Sequence, residues 1–318
     1  MKVFITQELP GNVEEILRRK GFEVDVYRKN KIIPKKELIE RAKSADALIC
    51  LLTNSIDKEV IDSFRKCRII ANVAVGFNNI DVGYAKSKGI VVTNTPGILD
   101  DATADLTLAL ILACARRLRE GDIYTREGKF KAWMPQLLLG IEMAGKTVGI
   151  IGAGRIGLEV ANRLIPFKTK IIYYNRNRKT GFEKKTGAKR VSLNSLLKKS
   201  DFISVHLPLN KETFQILNKK NLNLMKKTAV IVNTSRGEVI EEKALIDLLR
   251  RKKIFAAGLD VYENEPRLNP ELFGLDNAIL LPHIGSATVE TRSKMALLAA
   301  KNVINLLSGK RPVTPVQI

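Results

Sequence analysis

The 318-residue sequence contains only three cysteines and no apolar run that approaches the length of a membrane span. A bilayer span needs about 18 or more consecutive apolar residues. Cys50, Cys67 and Cys114 are widely spaced in apolar surroundings, which favours small buried hydrophobes over a disulfide framework or a metal site. The opening M-K-V-F-I-T-Q indicates a strand and not a signal peptide, because no cleavage-site pattern follows. We therefore expect a soluble protein of the reducing cytoplasm, without a metal.

Acidic residues are also scarce relative to basic ones, 33 against 54, which gives a net charge of +21. Such a balance can indicate nucleic-acid binding. The excess is spread over short doublets such as Arg18-Arg19 and Lys219-Lys220, however, with few aromatic residues between them. This favours a lysine-rich solvated surface of the kind found in heat-adapted proteins, and we expect no nucleic-acid partner and no membrane partner. The positive field would also favour anionic cofactors and substrates.

Short apolar runs alternate with helical patterns over roughly the first 95 residues, beginning with V-F-I-T, N-V-E-E-I-L-R-R-K and V-D-V-Y. Strands separated by helices of this kind pair in parallel through right-handed crossovers. The rhythm returns between about Gly145 and Pro282 and predicts a second α/β unit. One amphipathic helix then ends at Ser308-Gly309. Because a single helix cannot form a domain, we expect it to dock on the first unit.

A long apolar helix is predicted between the two units. Asp100 or Asp101 is expected to cap the helix A-T-A-D-L-T-L-A-L-I-L-A-C-A-R-R-L-R. This helix is apolar around too much of its circumference for a surface helix, which favours an interface between domains or subunits. The loop that follows contains the only tryptophan, Trp133. This side chain could plug a core or cover a site as a lid, and the sequence does not choose between these alternatives.

The stretch Val148–Gly157, V-G-I-I-G-A-G-R-I-G, has the strongest local signature. An apolar run typical of a strand buried on both faces leads into Gly152, Gly154 and Gly157 at the G-x-G-x-x-G spacing, and a helical pattern follows directly. The glycines permit a tight turn, the close approach of a pyrophosphate, and close contact of helix and strand, with the anion at the helix N-terminus. This context predicts dinucleotide binding rather than a purely structural glycine turn.

Three polar residues follow three different predicted strands of the second unit. Arg236 comes after A-V-I-V-N-T-S, Glu265 shortly after A-A-G-L-D-V-Y, and His283 after A-I-L-L-P. Ligands of an open parallel sheet bind beyond the carboxyl ends of its strands, so we expect these side chains beside the cofactor. The set suits hydride transfer to a ketone next to a carboxylate. A histidine can protonate the developing alkoxide, a neighbouring glutamate favours the imidazolium, and an arginine fork can hold carboxylate and carbonyl together.

Each of these residues also has an ordinary structural interpretation. His283 could be a buried polar group, Arg236 a surface ion pair and Glu265 a loop carboxylate. Their shared location beside a nucleotide fingerprint favours the functional interpretation. The other histidine, His206, lies in the apolar run I-S-V-H-L-P-L and is better suited to line the nucleotide cleft or the core than to transfer a proton.

With these motifs in view, the sequence resembles the D-isomer-specific 2-hydroxyacid dehydrogenases over essentially its full length, and looks like their glyoxylate/hydroxypyruvate reductases. The resemblance rests on G-A-G-R-I-G at 152–157, N-T-S-R-G at 233–237, G-L-D-V-Y-E-N-E-P at 258–266 and L-P-H-I-G-S-A-T at 281–288. It implies an α/β fold of two Rossmann-like or flavodoxin-like parallel-sheet domains. Residues 1–98 plus 288–318 would form the substrate domain, into which the cofactor domain, residues 99–287, is inserted.

The resemblance also implies the roles of particular residues. The family's catalytic arginine, glutamate and histidine correspond to Arg236, Glu265 and His283. The loop A-N-V-A-V-G-F-N-N-I-D corresponds to the one whose backbone binds the substrate carboxylate, through the N–H groups of Val75 and Gly76, with Arg236.

For the cofactor, the resemblance implies a set that includes the fingerprint, the second strand and the histidine region. Asp260 would lie near the pair of His283 and Glu265 without contacting the substrate. The resemblance also implies a homodimer built on the long helix, in which Trp133 would line the substrate site of the neighbouring subunit. The implied cofactor contacts are Thr103, Gly152, Gly154, Arg155, Ile156, Gly157, Asn175, Arg176, Arg178, His206, Pro208, Thr234, Asp260 and His283.

One departure from the family pattern concerns the cofactor. NAD-specific members place an acidic residue at the end of the second strand, where this sequence has Asn175 followed by Arg176 and Arg178. Loss of the carboxylate removes repulsion of a 2′-phosphate, and the guanidinium groups supply donors for it. NADP(H) is therefore favoured. The alternative is that Arg176 stacks on the adenine and NAD(H) is used.

A second departure concerns the substrate. Phosphoglycerate dehydrogenases carry an arginine where this sequence has Asn72, and often a C-terminal regulatory domain for which no residues remain after Ile318. Glyoxylate or hydroxypyruvate is therefore the expected substrate, with D-3-phosphoglycerate or D-lactate oxidation as the alternative. Because the family includes transcriptional corepressors, a nucleotide-sensing binding protein is a second alternative. The complete set of arginine, glutamate and histidine favours catalysis.

Overall fold

The computed structural model, which describes residues 1–317, divides the chain into two units. Met1–Leu99 and the chain from Ser286 onward form the first unit, and Asp100–Gly285 forms the second. Ile318, the last residue of the range expected for the substrate domain, lies outside the described residues.

The first unit begins with five strands and four helices: β1 (Lys2–Ile5), α1 (Val13–Arg19), β2 (Glu23–Val26), α2 (Lys35–Ala42), β3 (Ala47–Cys50), α3 (Lys58–Ser63), β4 (Ile69–Asn72), α4 (Val82–Ser87) and β5 (Val91–Thr93). Its sheet is parallel with the order β2-β1-β3-β4-β5, the flavodoxin-like order. Every residue of β3 and β4 is buried, as expected for parallel strands covered on both faces. The alternating pattern of the sequence predicted this architecture correctly.

The second unit has seven strands and seven helices: α5 (Asp100–Ala115), α6 (Leu118–Arg126), β6 (Thr147–Ile151), α7 (Arg155–Leu164), β7 (Lys170–Tyr174), α8 (Thr180–Thr186), β8 (Lys189–Arg190), α9 (Leu193–Lys199), β9 (Phe202–Val205), α10 (Lys219–Leu222), β10 (Val230–Asn233), α11 (Glu242–Arg250), β11 (Ala256–Leu259) and β12 (Ala278–Leu280). The parallel sheet has the order β12-β11-β10-β9-β6-β7-β8. Its order reverses between β6 and β9, which is where doubly wound sheets bind ligands. The predicted fold class is confirmed.

Two local predictions in this unit are wrong. The long helix begins at Asp100, so that Asp100 and Asp101 lie in its first turn and do not precede it. The helix also ends earlier than predicted, because Arg117 takes a left-handed conformation with φ 53° and the chain starts a separate helix, α6. The two-residue edge strand β8 was not predicted, since both of its residues are exposed and basic.

The last helix, α12 (Val289–Leu307), belongs to the first unit. The Thr288 side chain accepts a hydrogen bond from the Thr291 amide at 3.1 Å and caps its N-terminus. Its buried residues, which include Met295, Ala296 and Val303, share a core with strand residues such as Val3. The terminal helix thus packs on the first sheet, and this unit is built from both ends of the described chain.

Three further features bear on the sequence predictions. The three cysteines are buried and free, as expected. Among residues 1–317, no helix is long and apolar enough to cross a membrane. In the same residues, no cluster of three or more His, Cys, Asp or Glu side chains could hold a metal ion.

Candidate active site

The glycine fingerprint forms the turn between β6 and α7. Gly152 has φ 101°, and a Cβ on it would lie 2.6 Å from the His206 carbonyl oxygen. A Cβ on Gly157 would lie 2.2 Å from the Gly152 oxygen, so helix and strand backbones touch here. Gly154 has open space on its Cβ side, and no side chain caps the N-terminus of α7. The turn therefore fits the pyrophosphate of a dinucleotide, with free space at Gly154 and, at Arg155 and Ile156, the first N–H groups of a helix.

The end of β7 closes on this turn through Asn175. Its Oδ1 accepts a hydrogen bond from the Ala153 amide at 3.3 Å, and its Nδ2 donates to the Asn177 carbonyl at 2.9 Å. Arg190 of β8 donates to the carbonyls of Asn175 and Arg176, at 3.1 and 2.6 Å. The contacts of Arg190 were not predicted, because its strand shows no apolar pattern. The end of β7 therefore has an amide side chain at Asn175, where a carboxylate was absent from the sequence, and the guanidinium of Arg190 lies next to it.

Both arginines expected to meet a 2′-phosphate have carboxylate partners in the structure. Arg176 is paired with Glu212, and Arg178 Nη2 lies 2.8 Å from Glu183 Oε2. The two arginine side chains are exposed. A phosphate would thus have to compete with these two carboxylates for the guanidinium groups.

Three threonines and a histidine of the second unit form side-chain hydrogen bonds near the ends of its strands. Thr103 Oγ1 donates to the Gly285 carbonyl at 3.2 Å, and Thr107 Oγ1 lies 2.8 Å from Thr234 Oγ1. These bonds connect α5 to the chain segments after β10 and β12. The half-buried His206 has its Nε2 2.7 Å from Ser204 Oγ, and burial lowers its pKa to about 3. His206 is therefore neutral near pH 7, which agrees with a lining role. The neighbouring Pro208 carbonyl accepts a hydrogen bond from Thr213.

Arg236 lies in a tight turn directly after β10. The buried side chain of Asn233 fixes this turn: its Nδ2 donates to the Arg236 carbonyl at 2.8 Å, and its Oδ1 accepts from the Ser235 amide at 3.0 Å. Burial lowers the pKa of Arg236, against the opposing charges of Glu265 and Glu238. An arginine remains a cation at neutral pH even so. The positioning of this turn by Asn233 was not predicted from the sequence, although Asn233 begins the N-T-S-R-G motif.

Glu265 and His283 form a direct pair. Glu265 Oε2 lies 2.7 Å from His283 Nδ1, and Glu265 Oε1 accepts a hydrogen bond from the Tyr262 amide at 2.9 Å. Burial acts to raise the pKa of Glu265. The hydrogen bond and charge of His283, the Tyr262 amide and the charge of Arg236 together outweigh burial and lower the pKa below its ordinary value. The glutamate is therefore an anion at neutral pH, and its contact with the imidazole is made through Nδ1.

Asp260 supports the backbone that follows the histidine. It is 1% exposed, and its two oxygens accept hydrogen bonds from the amides of Ile284 and Gly285 at 2.7 and 2.8 Å. Burial raises the pKa of Asp260, although the Ile284 amide, the charge of His283 and the Gly285 amide act in the opposite direction. His283 itself has φ 55°, a left-handed conformation uncommon for histidine. The two hydrogen bonds from the Ile284 and Gly285 amides to Asp260 hold the chain in the turn that this conformation requires.

Two of the expected substrate residues, Val75 and Gly76, belong to the first unit. In the first unit, Asn94 Nδ2 donates to the Val75 carbonyl at 2.8 Å and Asn72 Nδ2 donates to the Gly76 carbonyl at 2.9 Å. Two asparagines therefore orient these peptide groups. Trp133, which belongs to the second unit, is 80% exposed, and this rules out the alternative of a core plug in that unit.

The second unit therefore has the phosphate-binding turn of a dinucleotide fold, with a cation, a carboxylate and an imidazole after three strands of the same sheet. An imidazole held by a carboxylate can transfer a proton, and the half-buried guanidinium can bind an acid. This combination defines a nicotinamide-dependent dehydrogenase.

Comparison with known proteins identifies the family. Residues 108–285 match the model of the D-isomer specific 2-hydroxyacid dehydrogenase, NAD binding domain. The glyoxylate reductase of Thermococcus litoralis is 48% identical over 315 residues, which cover 98% of this chain and 95% of that protein. The chain belongs to the D-isomer-specific 2-hydroxyacid dehydrogenase family.

Solved structures agree with this assignment. A glyoxylate reductase from Paecilomyes thermophila has a TM-score of 0.89 at 34% identity and covers 99% of this chain and 98% of its own. An NADPH-dependent glyoxylate/hydroxypyruvate reductase from Sinorhizobium meliloti, in complex with NADP and malonate, has a TM-score of 0.87 at 30% identity. That match covers 99% of this chain and 96% of the other. The predicted family and the predicted nicotinamide cofactor are confirmed at this level.

Proposed function

We propose that this protein reduces a small 2-oxoacid, glyoxylate or hydroxypyruvate, to the 2-hydroxyacid with a reduced nicotinamide dinucleotide. The observation that carries the proposal is the 2.7 Å contact between Glu265 Oε2 and His283 Nδ1, which holds a proton donor after the last strand of the cofactor sheet. The names of similar proteins support the substrate class, since the Thermococcus litoralis relative and the Paecilomyes thermophila structure are both glyoxylate reductases.

The three polar groups have different tasks in this reaction. The bound cofactor supplies the hydride that reduces the carbonyl carbon. His283 Nε2 donates a proton to the carbonyl oxygen, and the Glu265 carboxylate stabilises the imidazolium before this transfer. Arg236 donates hydrogen bonds to the substrate carboxylate and polarises the carbonyl. The expectation that the Val75 and Gly76 amides also bind the carboxylate stays a prediction.

For the cofactor, NADPH is the preferred form in this proposal. Asn175 replaces the acidic residue that would repel a 2′-phosphate, and Arg176 and Arg178 follow it. The Sinorhizobium meliloti reductase, which is NADPH-dependent and structurally similar, supports this preference. Thr103, Thr234, His206, Pro208 and the fingerprint glycines are assigned to the rest of the cofactor by family resemblance.

The proposed assembly is a homodimer located in the cytoplasm. Large apolar side chains are exposed together between α6 and β6: Phe130, Trp133, Met134 and Leu139 are 58%, 80%, 60% and 62% exposed. Exposed apolar clusters of this kind mark interaction surfaces. A second copy of the chain is the occupant that the family resemblance implies, with Trp133 reaching the partner's substrate site. Light scattering gives the oligomeric state, and quenching of the single tryptophan by a bound 2-oxoacid tests the reach of Trp133.

A steady-state assay tests the function directly. Glyoxylate, hydroxypyruvate, pyruvate and 3-phosphohydroxypyruvate are each offered with NADPH and with NADH, and cofactor oxidation is followed by absorbance. We expect the highest kcat/KM with glyoxylate or hydroxypyruvate and NADPH. Cofactor binding without oxidation of NADPH or NADH by any of these acids would instead support a nucleotide-sensing protein. A preference for the phosphorylated acid would support the phosphoglycerate alternative.

A further inference from the structure

Glu242 is a buried carboxyl that has no place in the reaction described above. It is the first residue of α11 and is 6% exposed. Glutamate is rarely buried to this degree unless it is paired. Among residues 1–317, however, no lysine or arginine forms an ion pair with it, and its Oε2 accepts a hydrogen bond from the Glu263 amide at 3.0 Å. Burial raises the pKa of Glu242, and the charges of Glu263 and Glu238 act in the same direction, against the opposing effect of the Glu263 amide.

The amide that Glu242 binds belongs to the short segment that presents Glu265. Two successive amides of this segment are bound by carboxylates, the Tyr262 amide by Glu265 at 2.9 Å and the Glu263 amide by Glu242 at 3.0 Å. The Tyr262 hydroxyl adds a bond to the Leu281 carbonyl at 2.8 Å. The segment is thus fixed on one side to the chain just before His283 and on the other side to α11.

The chain that leads to Glu242 also contains Arg236. Gly237 packs directly on the same segment, since a Cβ there would lie 2.4 Å from the Glu263 nitrogen. One stretch of seven residues, 236–242, therefore begins with the proposed substrate arginine and ends with the carboxyl that binds the glutamate segment.

We propose that Glu242 is a positioning residue, which holds the backbone at Glu263 so that Glu265 stays within hydrogen-bond distance of His283. The catalytic consequence rests on the proposed reductase function. The structural consequence does not, because it concerns only the contact between Glu265 and His283. The requirement is for a hydrogen-bond acceptor at the Glu263 amide and not for a negative charge. Glu242→Gln retains an oxygen acceptor, whereas Glu242→Ala leaves the half-buried Glu263 amide without this acceptor.

The neighbouring glutamate provides a matched control. Glu241 lies at the same helix start, but its Oε2 accepts a hydrogen bond from the Lys219 amide at 2.6 Å. Glu241→Ala therefore removes a carboxylate from the same turn. It also removes one hydrogen bond to a backbone amide, that of Lys219, and leaves the hydrogen bonds of the segment that presents Glu265 intact.

The test uses ¹⁵N-labelled histidine in the full chain, because His206 and His283 are its only histidines. In Glu242→Ala we expect the Nδ1 resonance of His283 to shift or broaden through loss of the Glu265 contact, while the His206 resonances stay unchanged. Glu242→Gln and Glu241→Ala should both retain the wild-type spectrum. In the proposed reaction, kcat of Glu242→Ala should fall by about 10- to 100-fold with the KM for the cofactor unchanged, as for a misplaced catalytic group.

A wild-type His283 spectrum in Glu242→Ala would overturn the proposal, as would equal losses in Glu242→Ala and Glu242→Gln. Should Glu242→Ala fail to fold, as judged by the His206 resonances, Glu242→Met fills the same space without accepting a hydrogen bond and should give the same change at His283. If the wild-type chain reduces no 2-oxoacid, the proposed function fails, but the histidine spectra still decide the role of Glu242.

Discussion

A Cβ on Gly237 would lie 1.9 Å from the carbonyl carbon of Tyr262. The residue after Arg236 is therefore in direct backbone contact with the segment that presents Glu265. No side chain fits between these backbones. The turn that contains Arg236 can therefore lie this close to the segment before Glu265 only because Gly237 has no Cβ. Two of the three proposed catalytic side chains thus depend on one glycine for their relative position.

Gly237→Ala should separate the two segments. We expect the free energy of unfolding to fall by about 1–3 kcal/mol, as for other overpacked positions, and kcat to fall as well. Urea denaturation and the glyoxylate assay measure both effects. Gly181→Ala is the matched control, because Gly181 lies in α8 with open space on its Cβ side, and should be slightly more stable. Normal stability and turnover in Gly237→Ala would contradict the close contact.

His283 and Glu265 should act as one unit. His283→Ala is expected to lower kcat by about 10²- to 10⁴-fold, the range of general acid catalysis, with the cofactor Kd nearly unchanged. Glu265→Gln should cost less, because the imidazole stays in place without its anionic partner. The double variant should be no slower than His283→Ala alone, since residues of one unit are not additive. Losses that multiply in the double variant would show that the two side chains act independently.

Arg176 and Arg178 should matter for NADPH and little for NADH. Alanine at either position removes a charged donor for the 2′-phosphate, and we expect KM for NADPH to rise by about tenfold while KM for NADH hardly changes. Glu212→Gln tests the competition described above: it releases Arg176 from its carboxylate partner and should lower KM for NADPH. Equal effects on both cofactors would argue that these arginines do not bind the phosphate.

The features that the sequence predicted are those with a local cause. The run Ala47–Cys50 is apolar at every position, so a strand buried on both faces was predictable, and all four residues are buried. The spacing of Gly152, Gly154 and Gly157 likewise predicts a turn between a strand and a helix. The polar residues after the strands were found because parallel strands bring their carboxyl ends to one edge.

The features that sequence analysis missed depend on distant contacts or on single backbone angles. Arg117 takes a left-handed conformation that nothing in A-R-R-L-R indicates, and it divides the predicted long helix. Gly237 was one glycine among 21, and its contact with Tyr262 is visible only in three dimensions. In the sequence, Glu242 looks like an ordinary exposed residue at the start of a helix. Only the structure shows that it is buried and that it accepts a hydrogen bond from the Glu263 amide.

The pKa of His206 should make the protein sensitive to acid. Burial lowers this pKa to about 3 in the folded chain, against about 6.5 in an unfolded chain. Between these values the unfolded chain binds a proton that the folded chain does not, so stability must rise with pH in this window and fall on acidification. The contribution of this one ring approaches about 1.4 kcal/mol per pH unit.

His206→Gln should therefore reduce the loss of stability between about pH 6 and pH 4, where the ring differs most between the two states. Urea denaturation at several pH values measures the slope for the variant and for the wild type. Ser204→Ala is the control, because it removes the hydroxyl that lies 2.7 Å from the His206 Nε2 but keeps the half-buried ring, and should retain most of the wild-type slope. An unchanged slope in His206→Gln would mean that His206 is protonated in the folded protein as readily as in the unfolded chain.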